Sequence, residues 1–459
     1  MPRLPVDRTI PPPPGPLRPF RFPPFLRTRL PNGLTVLATR MSGVPLVSME
    51  LVVPTAGGQH DPNGREGLAT LTAGLIDEGT VRRDSMEIAA SVERLGGFLT
   101  TGADWDVGYL AAGLLAGNRA QGLELLAEIL ASPTFPEAEV ERLRRQRLAE
   151  ILRRGHDPSA LADERLNRVI YAGTVYAGSL IGTEGSVPVI DRESVLDFYR
   201  RHYLLNGSAL IAVGDLDPED LLREAEAAFE AVAETKAPTP PPIRPTPLGG
   251  IEVHIVDRPG SAQTELRLGH RGVERMHPDY VPLLVLNMIL GGKFTSRINM
   301  NLRERNRYTY GATSRFVGRL GPGPFLVGAA VETESAGAAA REVLFELRRI
   351  RQELVEPGEL EEARSYMQGV FPYTVQTIGD LAKRLEALAV YSLPDDYFDT
   401  YLRRLDEVRR EDVLAVAQRH LDPERIAVVA VGPAEELEPQ FAAVGEIKVW
   451  SPEPRAQLT

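Results

Sequence analysis

The side chains that could hold a transition metal in this chain are seven histidines: His60, His156, His202, His254, His270, His277 and His420. There is no cysteine, which excludes disulfides, iron–sulfur clusters and thiolate metal sites. A zinc hydrolase needs imidazole and carboxylate ligands plus a glutamate that activates the bound water. On a helix, residues four apart share a face, so H-x-x-E-H presents two ligands together with the base. No two of the histidines are three to five positions apart, and neither H-x-x-E-H nor H-E-x-x-H occurs. A local zinc site of this kind is excluded. His202 and His420 read as packing or capping side chains near helix ends, and His60 as an exposed residue of a turn.

A different chemistry is within reach of Arg303 and Tyr310, seven positions apart. A guanidinium can hold a peptide carbonyl or carboxylate in a fixed fork. A tyrosine hydroxyl can donate a hydrogen bond to an oxyanion. By residue type alone, Arg303 reads as a surface ion-pair residue and Tyr310 as a strand aromatic. Upstream, Gly291-Gly292 permits close backbone approach or a simple helix C-cap. The following Lys293 does not make a phosphate loop, because the G-x-x-x-x-G-K-[ST] spacing is missing.

The elements that must position these residues come in two copies. At an offset of 218, ten identities fall within the 25 positions from Ile190 to Gly214, without a gap. Chance would give about one or two. Strand-like alternation at Leu34–Leu37 and Leu46–Val53 has counterparts at Ile251–Ile255 and Thr264–Leu268. Helices are expected near 66–77 and 279–290, and long ones near 136–154 and 356–370. A Pro-rich stretch at 237–250 reads as a semi-rigid linker. The expected plan is a Pro-rich extension (1–27), an α+β lobe (28–236), the linker, a second α+β lobe (251–451) and a tail (452–459). Together the lobes suggest a clam with an internal cleft.

Composition bounds the rest. Hydrophobic content of 43% with 25% charged residues suits a globular protein. A net charge of -11 gives no broad basic footprint for nucleic acid. No stretch approaches a membrane span of about 20 apolar residues. Met1 to Phe25 lacks an apolar core, so it is not a secretory signal as written. That reading makes the chain cytoplasmic, or periplasmic if a signal preceded this numbering.

The segment Gly67-Leu68-Ala69-Thr70-Leu71-Thr72-Ala73-Gly74-Leu75-Ile76-Asp77-Glu78-Gly79-Thr80 resembles the zinc-binding helix of the M16 (pitrilysin, or processing-peptidase-like) metallopeptidases, G-L-A-H-x-x-E-H-x-x-x-x-G-T. Thr70 and Gly74 stand where that family has histidines, and Ala73 where it has glutamate. The family's third ligand aligns with Ala149 and its neighbour with Glu150, which a one-residue slip would exchange; without the histidines Glu150 reads as a solvated helix residue. Leu290 to Tyr310 resembles the family pattern L-G-G-G-x-x-S-R-L-x-x-x-L-R-E-x-x-G-L-x-Y, with Lys293 for the third glycine and Arg307-Tyr308 for Gly-Leu. The resemblance implies that Arg303 and Tyr310 form the R/Y pair that orients peptide opposite the zinc, with Gly291 and Gly292 beside substrate or a partner's edge. It further implies substrate addition to a sheet edge, for which 326–332 is a candidate. The reading that follows is the non-catalytic subunit of an M16B-type heterodimer, not active alone. It would bind peptide or unfolded polypeptide and no metal, while an H-x-x-E-H partner supplies zinc. The alternatives are a non-enzymatic scaffold of the same fold, as in respiratory-complex core subunits, and an enzyme with relocated metal ligands.

Overall fold

The computed structural model describes residues 20–230 and 243–451. Expectations for 1–19, 237–242 and 452–459 therefore lie outside the described residues. The first lobe runs β1 (Leu26–Arg29), β2 (Thr35–Arg40), β3 (Leu46–Val53), α1 (Leu68–Leu75), α2 (Ser85–Arg94), β4 (Phe98–Ala103), β5 (Gly108–Leu115), α3 (Arg119–Ala131), α4 (Glu137–Arg154), α5 (Pro158–Ile170), α6 (Arg192–His202), β6 (Ala209–Gly214) and α7 (Pro218–Phe229). The second runs β7 (Glu252–Asp257), β8 (Gln263–Arg271), α8 (Tyr280–Leu290), a short α9 (Arg297–Asn299), β9 (Thr309–Phe316), β10 (Pro324–Glu332), α10 (Ala336–Gln352), α11 (Pro357–Val370), α12 (Ile378–Val390), α13 (Tyr401–Glu407), α14 (Arg410–His420), β11 (Ala427–Gly432), α15 (Ala434–Phe441) and β12 (Glu446–Trp450). The class is α+β, with two lobes each built on one six-stranded sheet.

The sheet orders are β1-β2-β6-β3-β5-β4 and β12-β7-β11-β8-β10-β9. Five strands correspond one for one. The sixth differs: β1 precedes β2 and pairs antiparallel to it, whereas β12 comes from the chain end and pairs parallel to β7. The helix starts are written in the sequence. Asp84 and Glu87 form a reciprocal capping box on α2, and Asp157, Asp191 and Asp217 accept first-turn N–H groups of α5, α6 and α7. Pro158, Pro218 and Pro357 open their helices where a missing N–H costs nothing.

Each lobe lends a helix to the other. One sheet face is covered by helices of its own lobe: α1, α3, α6 and α7 in the first, α8, α10, α14 and α15 in the second. The opposite face is covered from across the molecule. Ala162, Leu166 and Ile170 of α5 pack on Val256, Leu326, Ala427, Val429 and Val431 of the second sheet. Leu381, Leu385 and Leu388 of α12 pack on Leu37, Val52, Ile211 and Val213 of the first. An ion pair locks each exchange, with reversed polarity. Arg267 of β8 donates to Asp163 of α5 at 2.7 Å, and Lys383 of α12 donates to the buried Glu50 of β3 at 2.9 Å. Sheets covered on both faces explain the unbroken burial of β6 (ALIAVG) and β11 (AVVAVG).

The candidate sheet edge at 326–332 needs correction. That segment is β10, hydrogen-bonded to β8 on one side and β9 on the other. It is apolar because it is interior. The edge strands are β1 and β4 in the first sheet and β12 and β9 in the second. Among the described residues, no helix is long and apolar enough to cross a membrane.

Candidate peptide-binding site

The turn before α1 sets that helix by close packing. Gly67 has φ 93°, and a Cβ there would lie 2.7 Å from Gly182 N and Ile181 O. Asp61 caps the helix from six residues away, accepting the N–H groups of Gly67 and Ala69 at 2.7 Å each. Burial raises its pKa to about 7 against those two hydrogen bonds. Ala73 and Thr70 are buried. The Thr70 hydroxyl accepts from Arg147 Nη1 at 2.7 Å and lies 3.1 Å from the carbonyls of Gly67 and Leu180. Arg147 also donates to Ile181 O at 3.3 Å and pairs with Glu150 at 3.4 Å. Leu143 Cδ2 fills the space beside Gly74.

The α4 residues facing α1 are thus Leu143 and Arg147, with Glu150 held by Arg147. Ala149 is exposed and off that face. Glu150 is half-buried in the ion pair, not a freely solvated residue. The donor set does not suit a zinc ion at this helix. It consists of one occupied hydroxyl and a guanidinium, which stays charged although burial pulls its pKa down. His60 is not the exposed turn residue expected from the sequence. Its ring lies 5.0 Å from His202, and His202 stacks on Phe198 at 4.4 Å. Burial, aided by His202, pushes His60 down to about 4, so the pair is uncharged near neutrality.

In the second lobe, α8 ends at Gly291, whose N–H bonds to Asn287 O at 2.9 Å. A Cβ on Gly291 would sit 2.3 Å from Ser314 Oγ, so close approach to β9 requires glycine. Gly292 is exposed, and its N–H also reaches Asn287 O. The loop beyond is clamped to α11. Lys293 Nζ and Thr295 Oγ1 each reach Glu362 at 2.7 Å, and Arg297 forms a bidentate pair with Glu359 at 2.7 and 2.6 Å. Met300–Arg305 is one wide π-type turn, closed by Asn306 N–H to Asn301 O at 3.1 Å. It carries Arg303, whose guanidinium lies 4.4 Å above the Phe294 ring and 3.5 Å from Glu304. Arg307, at φ 61°, turns the chain into β9. Tyr310 follows and is 90% exposed, the most accessible large apolar side chain described.

The edge strands β9 and β4 differ sharply. Three outward groups in the middle of β9 are taken: Ala312 N–H by Asn299 Oδ1 at 3.0 Å, Ser314 N–H by Gly291 O at 2.9 Å and Ser314 O by Asn287 Nδ2 at 3.0 Å. Among the described residues, the β4 main chain bonds only to β5. β4 lies beside α1. The sequence pattern signalled Arg303 and Tyr310 but not Arg147, Asn287 or Asn299. Only the fold brings those three to their partners.

Comparisons with known proteins identify the family and the fold. Residues 35–184 match a family model described as "Insulinase (Peptidase family M16)", and residues 190–367 one described as "Peptidase M16 inactive domain". The chain belongs to the M16 peptidase family. It is 23% identical over 416 residues to an uncharacterized zinc protease of Rickettsia bellii, covering 89% of this chain and 98% of that one. It is 22% identical over 378 residues to the non-peptidase homolog YmxG of Helicobacter pylori, covering 80% and 84%. The mitochondrial-processing peptidase subunit beta of Bos taurus is 25% identical over 264 residues, 58% of this chain and 53% of that one. The crystal structure of a peptidase M16 inactive domain from Pseudomonas fluorescens superposes with TM-score 0.83 at 27% identity, covering 89% of this chain and 98% of that one. A protease from Helicobacter pylori has TM-score 0.84 at 20% identity, covering 90% and 100%, and shows the shared fold. The inactive-domain match and the non-peptidase relative support a non-catalytic member of the M16 family.

Proposed function

We propose that this M16 chain is the substrate-binding half of a two-subunit zinc peptidase, whose partner carries H-x-x-E-H and the metal. The observation that carries this reading is the contrast between α1 and β9. Arg147 bonds to Thr70 and Leu143 fills the space beside Gly74, whereas on a clamped framework Arg303 lies half-buried over Phe294 and Tyr310 stands exposed. Arg303, steadied by Phe294, would hold a peptide carbonyl or carboxylate, and the Tyr310 hydroxyl would donate to the developing oxyanion across the chamber. Relatives named as processing-peptidase subunits support a divided enzyme. Extended peptide would add to the free edge of β4, since β9 is sealed.

The test is reconstitution with an H-x-x-E-H homologue encoded by the same genome. Each chain alone should fail to cleave a peptide that the mixture cleaves. Arg303→Ala and Tyr310→Phe should each lower kcat/KM of the mixture about 100-fold. Undiminished cleavage by both variants would leave the second reading, a non-enzymatic scaffold, which the sealing of β9 by Asn287, Gly291 and Asn299 favours.

A further inference from the structure

Away from this site, two histidines and an aspartate converge between the start of α8 and the end of α14. One ligand atom from each of His277, Asp279 and His420 lies within 4.8 Å of the others. The His277 and His420 rings meet edge to face with centroids 4.9 Å apart. Asp279 and His420 side chains are 16% and 15% exposed, so the cluster is sheltered yet reachable.

The role of Asp279 is the informative detail. It stands at the N-cap position of α8, where an aspartate ordinarily accepts a first-turn N–H, yet its carboxylate makes no such bond. It turns instead to His420 Nε2 at 2.6 Å and Arg419 Nη1 at 2.8 Å. Its own N–H donates to His277 Nδ1 at 3.1 Å. At the 218 offset its counterpart is Asp61, which does cap its helix. The second-lobe carboxylate has given up capping to face two imidazoles.

We propose that His277, Asp279 and His420 form a binding site for a divalent transition metal of the Zn2+ type, structural in role and separate from peptide chemistry. Two imidazoles and one carboxylate are the donors such ions take, whereas Mg2+ and Ca2+ prefer oxygen. Coordination through His420 Nε2 needs that nitrogen free of a proton, which moves to Nδ1 or to solvent, and the half-exposed Arg419 swings to solvent. His277 coordinates through the nitrogen that now accepts the Asp279 N–H, or through the other after the tautomer switches. The ion then ties α8 to α14 and stabilises the folded chain by mass action.

The experiment uses the untagged full chain, stripped of metal and titrated with Zn2+ by calorimetry. One ion per chain should bind with Kd about 10 µM or tighter and raise Tm. Co2+ should give the intense visible bands of low-coordinate cobalt. His277→Gln, which leaves the Asp279–His420 bond in place, and His420→Gln should each weaken binding about tenfold or more. A His60→Gln/His202→Gln control in the first lobe should leave it unchanged. No saturable Zn2+ binding to the wild type, or unaltered binding by His277→Gln/His420→Gln, overturns the proposal. Neither result touches the reconstitution test, which reads peptide cleavage.

Discussion

The first and second lobes share a chain plan and diverge in where they place polar side chains. Asp61 turns inward to cap α1, whereas Asp279 turns outward to His420. β4 leaves its outer main chain free, whereas β9 has three outer groups in its middle taken by Asn287, Gly291 and Asn299. The apolar residues of β6 and β11 remain in step across 218 positions. Core packing constrains volume and period at every turn of the repeat. A polar group is constrained only by needing a partner, and different partners satisfy that need. The two copies could thus keep one fold while acquiring separate chemistry.

The comparison breaks most easily at the exchanged helices. Leu166→Ala on α5 and Leu385→Ala on α12 both empty fully packed positions. Each should cost about 2–5 kcal/mol in chemical denaturation. Both lobes should still unfold in one transition, because each sheet needs the other's helix. Two separate transitions, with each mutation shifting only one, would show that the lobes are independent.

A smaller effect tests the sealed edge. Asn299→Ala and Asn287→Ala leave Ala312 N–H and Ser314 O without partners, at a cost of about 1–3 kcal/mol each. Amide exchange should quicken at Ala312 and stay unchanged in β4. Unchanged protection of β9 would contradict the sealing. The smallest effect is the pH dependence of Asp61. Its folded pKa of about 7 exceeds the unfolded carboxylate value near 4, so the folded chain holds more protons between those limits. Its contribution therefore makes stability fall as pH rises from about 4 to about 7. Burial raises Asp106 and Glu386 as well, so the decisive quantity is the difference from Asp61→Asn. That variant should show a shallower decline, and an identical slope would place the charge change elsewhere.

Much of this was legible in the sequence. Leu46–Val53 alternates and is a strand over the expected residues; the helices at Glu137–Arg154 and Pro357–Val370 begin within a residue of expectation. Short-range periodicity writes these elements. It does not say which sheet a helix covers: Ala162, Leu166 and Ile170 mark an apolar face on α5 but not that the face crosses to the second lobe. Nor does it separate an interior strand from an edge, since 326–332 is apolar through burial on both sides. The site divides in the same way. Arg303 and Tyr310 follow a recognisable spacing, whereas Arg147 meets Thr70 across 77 positions. The repeat offset carries Asp61 and His202 onto Asp279 and His420, but His277 has Gln59 as its counterpart and joins them only in the fold.

The reciprocal loan of α5 and α12 also bears on descent. A tandem duplication whose halves trade equivalent helices has the topology of a domain-swapped homodimer joined end to end. Before the join, the ancestral polypeptide would have completed its fold only by embracing a twin, and fusion made that embrace permanent. The two halves of this chain cannot open like a hinge, because parting them would tear a helix from each sheet.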